Sequence, residues 1–307
     1  MEIAFSTHAV TDYPEPGWGL IRSEKTRAQI FDWVKAVGFA GVEVADSWTD
    51  IYGCPKGYLE DIRSQLDQRG LATAAINCLR KSLCHRELGT ENEQRLHQAI
   101  EVAAILGCTI VNVSLSEGPG PGLGAVRGRT RSPGSSLEAT EQDYVVTAER
   151  LRGVARHAAQ LGQELAIELH HCSLADTSRG VLKVIDMTGE PNVKANPDLV
   201  NGLWSVAQPR ESWREALANV VERMNLWHVK NVQRIYLPEH QIAEFVEAPL
   251  PLGEVDYRWA VMFAAERGFA GWISIEGAGP LDPFEKIGWA KRYLDSCLAA
   301  WQAGRLA

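Results

Sequence analysis

The chain has 307 residues, of which 45% are hydrophobic and 23% charged; this balance excludes disorder, collagen and coiled coil as global descriptions. Its 31 Lys and Arg against 39 Asp and Glu leave a formal charge of -8, so no overall basic field exists to gather the phosphates of a nucleic acid partner. Six cysteines are scattered without a CxxC pair, the opening Glu2-Ile-Ala-Phe-Ser6 reads as a strand in place of a secretory leader, and no apolar run approaches the roughly 18–20 residues of a membrane span, which together predict reduced thiols, a cytoplasmic protein and no membrane partner.

In chain order, eight β-rich segments recur, each with charged, helically spaced sequence after it. The predicted strands are Ile3 to Thr7, Gly41 to Ala45, Leu71 to Ile76, Thr109 to Leu115, Leu165 to Leu169, Val193 to Asn196, Leu226 to Lys230 and Gly271 to Glu276. The predicted helices are Lys25 to Val37, Leu59 to Arg69, Glu93 to Leu106, Tyr144 to Leu161, Trp213 to Arg223, Tyr257 to Arg267 and Pro283 to Trp301. Five helices stop at a glycine just before the next strand (Gly38, Gly70, Gly107, Gly162 and Gly268), where the left-handed cap is expected. Eight βα units over 307 residues average about 38 each, which suits a single α/β domain spanning 1–307, a (β/α)8 TIM barrel of about 250 residues plus insertions. The competing open doubly wound sheet usually carries a Gly-rich phosphate turn after its first strand; here Ser6 to Pro14 contains no GxGxxG.

One stretch at about 116–136 breaks the rhythm with Gly118-Pro-Gly-Pro-Gly-Leu-Gly followed by Arg127, Arg129 and Arg131. It reads as a loop insertion, either a surface excursion or oligomer arm, or a lid whose arginines meet an anionic substrate group.

Alternation along the strands separates the face that packs on the helices from the face that lines the barrel. In the fifth strand Leu165, Ile167 and Leu169 share one face, leaving Ala166, Glu168 and His170 on the other; the same parity directs His228 and Lys230 of the seventh and Ser274 and Glu276 of the eighth inward. The sixth strand adds Asp198 on the parity of Lys194 and Asn196. Three carboxylates converging with one imidazole repel one another unless a cation sits among them, so Glu168, Asp198, His228 and Glu276 are predicted to hold one divalent metal. Oxygen-dominated ligation with a single His suits Mn²⁺ first, with Mg²⁺, Co²⁺ and Zn²⁺ as alternatives.

These residues carry a family resemblance. Through Ala166-Ile-Glu-Leu-His170, Asn196-Pro-Asp-Leu-Val-Asn201, Trp227-His-Val-Lys-Asn231, Leu252-Gly-Glu-Val-Asp-Tyr257 and Ile273-Ser-Ile-Glu276, the chain resembles, over nearly its whole length, the xylose isomerase-like TIM barrel superfamily in its sugar phosphate isomerase/epimerase branch. The resemblance implies the same four metal ligands and matches the substrate-holding arginine six residues beyond the metal-binding His to Arg234. It departs where many relatives have His three residues after the metal-binding Asp, here Asn201, and where ketose epimerases carry a second acid, here Leu174.

The implied chemistry is isomerisation or epimerisation of a sugar, keto-sugar or polyol derivative. The metal acts as a Lewis acid on adjacent oxygens to stabilise an enediolate, while Glu168 and Glu276 exchange protons on opposite faces of the substrate. His170, Asn201, Lys230 and Arg234 are the expected substrate contacts. The partner is therefore a small carbohydrate, and homo-oligomerisation is left open. His8 and Glu43, also near strand ends, are as readily barrel hydrogen-bonding groups. Trp18, Trp48 and Trp204 fall on loops where a flat wall would suit a sugar ring, whereas Trp33 and Trp289 suit packing. The alternative is a lyase of the same superfamily, dehydratase-like or C-glycoside-deglycosidase-like, with His170 protonating the leaving group. An AP endonuclease-like nuclease and a non-catalytic sugar-binding protein are further alternatives.

Overall fold

The computed structural model describes residues 1–117, 134–203, 209–240, 242–277 and 282–304. Eight parallel strands form the barrel wall: β1 (Glu2–Ser6), β2 (Gly41–Ala45), β3 (Ala72–Cys78), β4 (Ile110–Val113), β5 (Glu164–Glu168), β6 (Val193–Asn196), β7 (Leu226–Val229) and, after a hairpin, β10 (Trp272–Ile275). Their hydrogen-bonded order is β6-β5-β4-β3-β2-β1-β10-β7. The remaining gap between β6 and β7 is spanned by a parallel bridge of Ala195 with Met224 and by the Asn225 amide donating to the Ala195 carbonyl at 3.3 Å. The sheet is thus a nearly closed (β/α)8 barrel, the predicted architecture, with every predicted strand within a few residues of an observed one.

Eight helices surround it: α1 (Glu24–Val37), α2 (Lys56–Gln68), α3 (Gly89–Leu106), α4 (Glu141–Gln160), α5 (Ser178–Thr188), α6 (Trp213–Val220), α7 (Tyr257–Glu266) and α8 (Pro283–Gln302). Their starts follow from capping chemistry. Ser23 and Asp256 accept from Thr26 and Trp259 amides, and Thr140 with Asp143 and Ser212 with Glu215 form reciprocal capping boxes. All five glycines predicted as left-handed caps have positive φ, from 61° at Gly70 to 90° at Gly38.

Two features escaped the sequence reading. Helix α5 lies in a stretch assigned to no element. A two-stranded antiparallel hairpin, β8 (Asn231–Leu237) and β9 (Ile242–Ala248), follows β7 directly, pairing Asn231 with Ala248 and Leu237 with Ile242. The fifth predicted helix, observed as α6, is shorter than expected, ending at Val220 and continuing as a 3-10 turn over Val221–Arg223. Of the Gly-, Pro- and Arg-rich insertion, 118–133 lie outside the described residues, as does Trp204.

Parity holds as predicted. Leu165, Ile167 and Leu169 join the large core between wall and helices, while Ala75, Ile110, Ala166 and Leu226, with Trp272 against them, make a separate small apolar cluster inside the barrel. That cluster plugs the N-terminal end of the interior and sets the floor of the site.

Candidate metal centre

Above the apolar plug the barrel interior turns polar. Glu43, Asn77, Asn112, Glu168, Asn196, Asp198, His228, Ser274 and Glu276 are all buried. Burying this many polar groups is tolerated only if they satisfy one another. An asparagine relay does so: Asn196 Nδ2 donates to Asn112 Oδ1 at 2.9 Å, Asn112 Nδ2 to Asn77 Oδ1 at 2.9 Å and to Glu168 Oε2 at 3.1 Å, and Asn77 Nδ2 to Glu276 Oε1 at 3.1 Å. The two glutamates are thereby fixed to one rigid belt. The three asparagines sit on the inward parity of β3, β4 and β6, and a polar residue on the inward face of an otherwise apolar strand was the signal in the sequence that could have found them.

His228 is held from behind. Its Nε2–H donates to Glu43 Oε1 at 2.7 Å, and Glu43 Oε2 accepts from Ser274 Oγ at 2.7 Å. This fixes the ring so that Nδ1 points into the site, 3.7 Å from Glu168 Oε1 and 3.5 Å from Glu276 Oε1, buried and without a hydrogen-bond partner. Glu43 is therefore a barrel hydrogen-bonding group, one of the two roles the sequence left open, and an orienting partner of this kind is usual for a metal-binding imidazole.

One ligand atom from each of Glu168, Asp198, His228 and Glu276 lies within 4.8 Å of all the others, the grouping among the described residues that could hold a metal. Donors about 2.1 Å from a shared octahedral ion stand roughly 3 Å apart when adjacent and about 4.2 Å when opposite, so the observed spacings need little adjustment. With Nδ1 freed of its proton, the three-oxygen, one-nitrogen donor set fits a divalent cation. Lys230 adds its ammonium 2.7 Å from Asp198 Oδ2 and 2.9 Å from Glu276 Oε2. Three carboxylates facing one ammonium leave the site net negative, which favours a cation among them.

The protonation states follow from this crowding. Burial together with Glu276 and Glu168 outweighs the ammonium of Lys230 and raises the Asp198 carboxyl to about 7. Burial opposes charge on His228, but Glu43, Glu276 and Glu168 override it and hold the imidazole well above its ordinary value. Burial likewise opposes charge on Glu276, where Lys230 and His228 prevail and carry it well below the usual carboxylate range.

The other predicted contacts fall as follows. His170 is lowered by burial and interacts with Glu168, Lys230 and Glu276, which places it at the site; its Nδ1–H donates to the His171 carbonyl at 2.6 Å, leaving Nε2 as the acceptor. Asn201 Nδ2 donates to Glu168 Oε1 and to the Leu169 carbonyl, both at 3.1 Å, while its Oδ1 is buried without a partner. Arg234 lies on β8, its guanidinium over the Tyr236 ring at 5.1 Å, with Nε and Nη2 buried and unpaired. Trp48 is fully buried and packs on Phe31, so it is core and not a sugar wall; its apolar bulk was worth more beneath the loop than above it. Trp18 is 46% exposed and Trp289 is exposed as well, against the packing expected of the latter. The motif Leu252 to Tyr257 proves structural. A Cβ on Gly253 would fall 2.2 Å from Asn231 Cγ, and the Tyr257 hydroxyl donates to the Lys230 carbonyl at 2.7 Å, so the segment buttresses the strand end that carries Lys230.

Comparison with known proteins agrees with this architecture. A xylose isomerase-like TIM barrel protein from Mycobacterium smegmatis, solved in complex with magnesium, superposes with a TM-score of 0.82 at 25% identity, covering 98% of this chain and 97% of that one. An L-ribulose 3-epimerase structure gives 0.74 at 16% identity over 99% and 96% of the two chains. A probable 3-DHS dehydratase from Bacillus anthracis, involved in petrobactin synthesis, gives 0.69 at 16% over 96% and 99%. No curated protein matches the chain. With residues 31–297 matching the family model of that description, the chain belongs to the xylose isomerase-like TIM barrel family.

Proposed function

We propose that this protein is a divalent-metal-dependent isomerase or epimerase acting on a sugar, keto-sugar or polyol derivative, with Glu168, Asp198, His228 and Glu276 as ligands of one ion, Mn²⁺ first among Mn²⁺, Mg²⁺, Co²⁺ and Zn²⁺. The carrying observation is the matched setting of the two glutamates. Each directs Oε1 toward His228 Nδ1, and each receives a hydrogen bond from one member of the linked pair Asn112 and Asn77.

The bound ion would supply Lewis-acid stabilisation of an enediolate formed between adjacent oxygen-bearing carbons. Glu168 and Glu276, from strands on either side of the other two ligands, remove a proton from one face of the substrate carbon and return one to the other. Lys230, His170 Nε2, Asn201 Oδ1 and the unpaired edge of Arg234 supply contacts to substrate oxygens. The epimerase among the solved neighbours supports this reaction class, the magnesium complex supports a divalent ion, and the free cysteines support a reducing, cytoplasmic setting.

The dehydratase neighbour favours a second reading, elimination from the same enediolate. Proton NMR of reaction mixtures in D2O with Mn²⁺-loaded enzyme, quenched and stripped of metal before recording, separates the two. A sugar isomer carrying deuterium at the reacting carbon is the expected result. Loss of water or an aglycone assigns the lyase, and no exchange across a panel of ketoses, inososes and 3-keto-glycosides defeats both.

A further inference from the structure

The rim of the barrel mouth carries a second recognition element. The β1–α1 connection is tied down by Arg22, whose guanidinium donates to the carbonyls of Trp48 at 3.0 Å, Glu15 at 2.8 Å, Gly17 at 3.2 Å, Tyr13 at 3.4 Å and Thr11. The amide of Gly19 adds a bond to the Ser47 carbonyl at 2.7 Å. This fixed loop presents Trp18, whose indole meets His8 edge-on, ring centres 6.2 Å apart, on the turn that follows β1, the strand paired with β10. The Arg80 guanidinium lies over the same indole, 4.6 Å from its ring, carried by the segment just after β3.

Arg80 differs from the arginines that build the fold. Among the described residues no carboxylate stands within 4.0 Å of it, and the nearest acid that influences it, Asp46, is already committed to Lys81 at 2.6 Å and to the Tyr52 hydroxyl at 2.9 Å. Arg80 is exposed at the rim, open to a solute. Arg80 also holds a left-handed backbone, φ 58°, as does Cys172 at φ 56°, two positions beyond His170. Non-glycine residues in this conformation are costly and cluster at ligand clamps. A guanidinium over an indole, with no carboxylate beside it among the described residues, is arranged for a planar, bidentate anion.

We infer that Trp18 and Arg80 form an anion subsite at the barrel mouth, so that the carbohydrate handled at the metal centre carries a carboxylate or phosphate on the end away from the reacting carbons. This rests on the sugar-enzyme reading above. Calorimetry of Mg²⁺-loaded protein with D-fructose, D-fructose 6-phosphate and D-fructuronate tests it, the two anions separating phosphate from carboxylate. At least one anion is expected to bind tenfold or more tightly than fructose, and Arg80→Asn, a residue at ease in left-handed backbone, is expected to remove that preference. Trp18→Leu is expected to weaken it, which keeps the test open if Arg80→Asn does not fold. Equal binding of all three sugars, binding of none, or a preference that survives Arg80→Asn overturns the subsite. Deuterium exchange on the same sugars keeps the two claims apart: anion preference without exchange sinks the enzyme reading alone, and exchange without preference sinks the subsite alone.

Discussion

At the residue scale the site depends on a few side chains whose positions are over-determined. Glu168→Gln and Glu276→Gln preserve shape but remove the base and one of the two acceptor oxygens of each carboxylate, and turnover is expected to fall about 10²–10⁴-fold for each, measured as product formed per enzyme under saturating metal. Glu43 touches no predicted ligand atom other than through His228 and Ser274. Glu43→Gln is expected to lower metal affinity about 10–100-fold, read by calorimetry, with far-UV circular dichroism unchanged. The four candidate ligands, which the structure brings together, were legible in the sequence because each sits at the C-terminal end of a strand on the inward parity, and parity needs no knowledge of contacts. The Asn77, Asn112 and Asn196 relay was not, because an asparagine gives no charge argument and its value lies entirely in partners far along the chain. Trp48 and Trp18 show the same boundary: both fall on loops of one face, and only packing decides that the first is core and the second is open.

At the level of elements, chain order and boundaries were readable where local chemistry is strong. Left-handed glycines mark five helix ends, and paired Ser/Thr with Asp/Glu mark two helix starts. Ser212→Ala removes the oxygen that receives the Glu215 amide at 3.2 Å and half of a capping box, and is expected to destabilise the protein by about 1 kcal/mol in a urea titration. The hairpin after β7 does not alternate cleanly, with Gln233 beside Arg234 and Ile235, Tyr236 and Leu237 running together, and a count that already closed at eight left it unassigned. Helix α5 follows the β5 loop, where Cys172 and the His170–His171 stack interrupt the rhythm that marked its neighbours. The hairpin carries Arg234, the proposed substrate contact, from the end of the strand that holds His228 and Lys230.

For the whole molecule, the net charge of -8 has a local share in the barrel, where three buried carboxylates face one ammonium. Metal uptake must expel the protons held by Asp198, raised to about 7, and by Nδ1 of His228, held well above its ordinary value. Both groups are proton-loaded at low pH in the metal-free protein, so affinity is expected to rise with pH, and to fall steeply below about 7, in titrations between pH 5.5 and 8 with proton release detected in buffers of different ionisation enthalpy. Metal bound only to the native state would also raise Tm with metal concentration, and chelation would reverse the shift. The most direct test of the centre itself is calorimetric titration of chelator-treated protein with MnCl2, beside Asp198→Ala and His228→Ala. The structure predicts one strong site per chain in the wild type and its loss in both variants, whereas no binding, or binding that persists unchanged when either ligand is removed, would contradict it.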